Sequence, residues 1–97
     1  MHLKIHKIPG EGTVVAACDA ELIGKTLTGE HCDIVIEESF YGTEAVSEEE
    51  LIAALKGAIN ANIIGHKVCS VAIKTGIIEK EACMEINGVP HAQIYRV

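Results

Sequence analysis

The chain has 97 residues, 48% hydrophobic and 23% charged, with eight Lys and Arg against fourteen Asp and Glu and a formal net charge of -6. That length supports one domain, residues 1–97, and the composition excludes intrinsic disorder. The acidic balance counts against a protein that wraps DNA or RNA by charge alone, and no run approaches the ~18 apolar residues of a membrane-spanning helix.

From the N-terminus, Leu3 and Ile5 alternate with His2, Lys4 and His6, the period-two pattern of a half-buried strand. The turn Pro9-Gly10-Glu11-Gly12 and the apolar run Thr13 to Cys18 predict a second strand folded back on the first. Asp19 is placed to cap a short helical turn over Ala20 to Ile23, stopped by Gly24. His31 to Glu37 alternates again and predicts a third strand, with Ser39 to Val46 as a connector. Ser47-Glu48-Glu49-Glu50 is a capping box, opening a helix to about Ile59. Asn60-Ala61-Asn62 interrupts it. A second helix is predicted from about Asn62 to Thr75, apolar nearly all round and therefore central; a single kinked helix is the alternative. Asn87-Gly88 between Cys83–Ile86 and Val89–Val97 predicts a closing type I′ hairpin, with Pro90 at an edge or bulge. The order is that of an α+β domain: β-hairpins and a third strand around two consecutive helices, in mainly antiparallel sheet.

The cysteines 18, 32, 69 and 83 have no close pairing of the kind a structural zinc site uses, and they are read as core residues of apolar surroundings, as in Lys67-Val68-Cys69-Ser70-Val71. They are expected as reduced, buried thiols, with no metal and no cofactor. The N-terminus lacks a signal-peptide apolar region, so a cytoplasmic setting is expected. Gly24-Lys25-Thr26 resembles the end of a phosphate loop, yet Asp19 stands where that motif needs its first glycine. The acidic run Glu44 to Glu50 is accounted for by helix capping.

Two places remain as candidate surface. Asn60, Asn62 and Lys67 surround the expected start of the second helix, where free amides and a lysine would suit an anion. His91 and Gln93 follow the stiff turn Gly88-Val89-Pro90. Lys25 completes the set by charge.

The runs Asn62-Ile63-Ile64-Gly65 and Gly88-Val89-Pro90-His91-Ala92-Gln93, with Leu22-Ile23-Gly24-Lys25 and Phe40-Tyr41-Gly42, resemble the archaeal family known as domain of unknown function 424. The resemblance spans essentially the whole chain. It implies a small cytoplasmic archaeal protein of α+β fold and no assigned reaction, so it brings no catalytic residues. A link to translation is the expectation for small archaeal proteins of this kind.

No acid–base pair, metal motif or cofactor loop can be assembled from the sequence. The expected function is thus a non-catalytic binding or accessory module whose partner is a protein or ribonucleoprotein; the sequence leaves the oligomeric state, a homo-oligomer included, open. The competing class is a small enzyme on a phosphate- or carboxylate-bearing metabolite. There the helix start near Asn62 holds the anion, Lys67 supplies charge and His91 is the general acid or base, which requires one shared pocket. Single-stranded RNA binding on a sheet face is disfavoured by 3% aromatic residues, and Phe40 and Tyr41 are expected to be packed.

Overall fold

The computed structural model describes residues 1–96. The strands β1 (His2–Ile8) and β2 (Gly12–Cys18) form the expected hairpin, with His2 opposite Cys18 and Ile8 opposite Gly12. A 3-10 turn at Ala20–Leu22 leads to β3 (Thr26–Thr28), which pairs antiparallel with β4 (Asp33–Val35) in a separate ribbon. Then come α1 (Glu38–Tyr41), α2 (Glu48–Lys56), β5 (Asn60–Ile64) and α3 (His66–Lys74). A second 3-10 turn at Lys80–Ala82 precedes β6 (Met84–Ile86) and β7 (Val89–Tyr95). The main sheet has the order β1-β2-β5-β7-β6, and β2–β5 is its parallel pair. The fold is α+β and mostly antiparallel.

The capping box is formed as expected: Ser47 Oγ accepts from the Glu50 amide at 3.2 Å, and Glu50 accepts from the Ser47 amide at 3.1 Å. The closing turn is also as expected, with Asn87 at φ 52° and Gly88 at φ 77°, the positive values a type I′ hairpin requires. Pro90 lies just beyond the β5–β7 ladder, which begins at His91 opposite Ile64. The last strand ends at Tyr95, short of the expected run to Val97; Arg96 is not part of it, and Val97 lies outside the described residues.

The largest correction concerns residues 60–75. The segment Asn60–Ile64 is a strand, inserted between β2 and β7, and the two main helices are therefore not consecutive. Its residues alternate between faces: Ala61 and Ile63 join the core under the helices, while Ile64 joins the core on the other side. Read as helix, those same isoleucines made the segment look apolar all round. The helix that remains is nine residues long, with Val68, Cys69, Val71 and Ala72 buried and His66, Lys67, Ser70 and Lys74 exposed. It is one-sided rather than wrapped. Smaller corrections follow the same logic of tertiary pairing. The first helix ends at Lys56, and the third strand shortens to three residues that find a partner in Thr26–Thr28. The expected connector holds the short helix α1.

Two layers of packing result. The helices α2 and α3 cover one face of the sheet, burying Leu51, Leu55, Val68 and Cys69 against Val15, Ala17, Ala61 and Ile63. On the opposite face the β3–β4 ribbon and α1 bury Leu22, Leu27, Ile36 and Tyr41 against Ala16, Cys18 and Ile64. That second cover is partial. Beyond it the sheet carries Asn60, Asn62, His91, Gln93 and Tyr95, with Met84 opposite His91.

Candidate functional site

The start of α3 already holds an anion from the chain itself. The carboxylate of Asp19, 2% exposed, accepts from the amides of Lys67 and Val68, each at 3.0 Å. It therefore occupies the positive end of the helix, where an outside anion was expected. This approach depends on Gly65, whose φ is 128° and on which a Cβ would collide with the Asp19 carboxylate. Asp19 does not cap the turn after it, as the local sequence suggested; it caps a helix 48 residues away instead. No local signal could have shown that.

Asn62 is three residues before Gly65, in the middle of the sheet. Its Oδ1 accepts from the Tyr41 hydroxyl at 3.2 Å and contacts His91 Nε2 at 3.2 Å. An amide oxygen only accepts, so His91 carries its hydrogen on Nε2 and keeps Nδ1 as an acceptor. Burial pushes the His91 pKa below its usual 6.5, which favours this neutral form. The two bonds to Oδ1 fix the amide, and its NH2 has no hydrogen-bond partner among the described residues. No buried side-chain nitrogen or oxygen among them is unsatisfied, so this NH2 faces water. Tyr41, 5% exposed, is the buried support of the group; burial pushes its hydroxyl pKa up to about 12, keeping it a donor.

Gln93 is directly opposite Asn62 in the β5–β7 ladder, and Asn60 is opposite Tyr95, which is 74% exposed. Four of the six sequence candidates (Asn60, Asn62, His91 and Gln93) thus share one open sheet surface, through a β-ladder rather than a helix start. Lys67 and Lys25 do not join them. Lys67 is exposed on α3, on the far side of the sheet, and Lys25 is exposed at the approach to β3. Gly24 and Lys25 lead into a strand, not a helix, which removes the phosphate-loop resemblance.

The basic stripe on β1 has a structural role. His2 Nδ1 contacts the Gly42 carbonyl at 3.1 Å, Lys4 Nζ donates to Ser39 O at 3.0 Å, and His6 Nε2 contacts Phe40 O at 2.7 Å. These bonds satisfy carbonyls at the end of α1, and His6 also stacks on Phe40 with ring centroids 5.0 Å apart. In this way they hold Tyr41 in place beneath Asn62. Sequence reading missed Tyr41 as a site residue. The alternation of Asn60, Asn62 and Ile64 against Ala61 and Ile63 was the available clue to the strand.

The four cysteines are free, but not all buried as expected: Cys18 and Cys69 are buried, Cys83 is half-buried and Cys32 is exposed. Burial pushes the Cys18 thiol up to about 11 and the Cys69 thiol up to about 12, so neither is a ready nucleophile. Among the described residues no group of three or more His, Cys, Asp and Glu is arranged to hold a metal ion, and no helix is long and apolar enough to cross a membrane.

Comparison with known proteins adds kinship without an activity. No curated protein matches the chain. A solved structure described as an uncharacterized conserved protein from Methanopyrus kandleri is similar, with a TM-score of 0.82 and 28% identity over 99% of this chain and 90% of that one. The family described as "Protein of unknown function (DUF424)" matches residues 6–97. With that match running from the first hairpin to the C-terminus, the chain belongs to this family.

Proposed function

We propose that the protein is a non-catalytic accessory module of the cytoplasm, which docks on a protein or ribonucleoprotein partner through the uncovered half of its sheet. One observation carries the reading: a strand in the middle of the sheet places Asn60 and Asn62 on its open face, and Asn62 is locked with its donor group outward. Asparagine is disfavoured in strands and contributes little to sheet packing. Here it serves as a fixed hydrogen-bonding group, beside the His91 acceptor and the Gln93 amide. Such neutral donors and acceptors match the backbone or polar edges of a macromolecule. The exposed Tyr95 and Met84, 74% and 71% accessible, add apolar contact area at the rim. A link to translation fits this kind of surface.

A second reading, a small enzyme using His91 as general acid or base, draws support from the His91–Asn62 contact. Its anion-holding half has lost its footing, because Asp19 fills the helix start and Lys67 is on the other side of the sheet.

Site-directed photo-crosslinking in living cells tests the proposal. A benzophenone amino acid at Gln93 or Tyr95 is expected to give a discrete cross-linked species, protein or RNA, and the same probe at Glu49 on α2 to give none. Equal yields from all three positions, or none from any, would overturn it.

A further inference from the structure

On the opposite side of the sheet, α2 and α3 cover β2, β5 and β7 but stop short of the three-residue edge strand β6. A groove of about 580 Å³ remains there, between α3, the turn at Lys80–Ala82 and the β6–β7 hairpin. That volume is within the range of small-ligand sites, roughly 300–1,000 Å³. Its floor is apolar: Cys69, Ile73, Cys83 and Pro90. Both cysteines are free, and burial together with the neighbouring Cys83 holds the Cys69 thiol neutral. The Cys69 thiol also donates to Pro90 O at 3.5 Å, so it presents no free polar group.

The rim is of opposite character to the rest of the molecule. His66, Lys74 and Lys80 line it against a single acid, Glu85, in a chain of net charge -6. Lys74 is engaged by Glu48 at 3.0 Å, whereas Lys80 makes no ion pair among the described residues. Ser70, exposed between the helix and the groove, adds a hydroxyl. An apolar floor ending in an unpaired ammonium and a hydroxyl is complementary to a molecule with a hydrocarbon body and an anionic head.

We infer that this groove is a small-molecule site for an organic carboxylate with an apolar body, separate from the polar sheet face and independent of the docking reading. The body lies over Ile73, Cys83 and Pro90, and the carboxylate meets Lys80 and Ser70.

Decanoate is a suitable probe, titrated into the full chain by calorimetry, with decanol as its uncharged counterpart. Saturable one-to-one binding is expected, with a Kd on the order of 0.1–1 mM for a ligand of this size. Lys80→Glu is expected to weaken it roughly fivefold, the scale of an exposed ion pair. Ser70→Trp, which fills the groove from an exposed helix position, should abolish it. A second readout uses Cys83: in a Cys32→Ser background, saturating decanoate should slow alkylation of Cys83 by iodoacetamide severalfold. Failure to saturate, decanol binding as tightly as decanoate, or affinity unchanged in both variants would overturn the assignment. So would a Cys83 alkylation rate left untouched by saturating decanoate.

Discussion

The two faces of the sheet solve the same problem differently. Under α2 and α3, Val15, Ala17, Ala61 and Ile63 meet helix side chains in one continuous apolar layer. On the other face the apolar layer covers only the end near Cys18 and Ile64, and the remainder is polar and open. The change occurs within single strands: Ile64 is fully buried, and two residues earlier Asn62 turns its amide to water. A mostly antiparallel sheet can leave part of one face to water, and on the docking proposal this polar half is the part that meets the partner.

The sharpest test of that division is the pair Ile63 and Ile64, neighbours in sequence on opposite faces, both fully buried. Each Ile→Ala change should cost about 2–5 kcal/mol, measured by urea unfolding. A negligible loss for Ile64→Ala would mean that the ribbon and α1 do not seal their end of the second face. Next in size is Asp19→Ala, which removes the acceptor of two amides at the start of α3. A loss of about 2 kcal/mol is expected, the upper range for a helix cap. An anion should not restore it at ordinary concentrations if the site is structural.

The polar face should reveal itself through pH. Burial holds His91 below 6.5, so the unfolded chain takes up a proton before the folded one as pH falls. Stability contributed by neutral His91 is therefore fully present above 6.5 and declines below it. His91→Gln should flatten this part of the stability profile, read as unfolding free energy at pH 5 and 7.5. An identical slope in both proteins would mean that His91 is not held neutral by its contacts.

Much of the element order could be read from sequence, and the failures have physical causes. The two hairpins and the capping box rest on local rules, and each formed as its residues implied: Asn87-Gly88 can adopt positive φ, and Ser47 can reach the Glu50 amide. The strand Asn60–Ile64 was hidden because asparagine is a poor strand former and Ile63-Ile64-Gly65 runs straight into a helix. Only pairing with β2 and β7 makes it a strand. Four of the six candidate residues came together all the same, because the ladder, not the expected helix end, aligns Asn62 with Gln93. Asp19 and Tyr41 act over 48 and 21 residues of sequence, distances across which no local pattern carries information.

The smallest expected effect is the most direct test of the central claim, that the open polar half is kept for contact and not for folding. In the double variant Asn60→Val, Gln93→Val, two exposed-face polar residues become good strand formers while Asn62 and its bonds stay intact. Urea unfolding should give a stability within about 0.5 kcal/mol of the parent or above it. A loss of more than about 1.5 kcal/mol would show that these side chains hold the sheet together, and would contradict the claim.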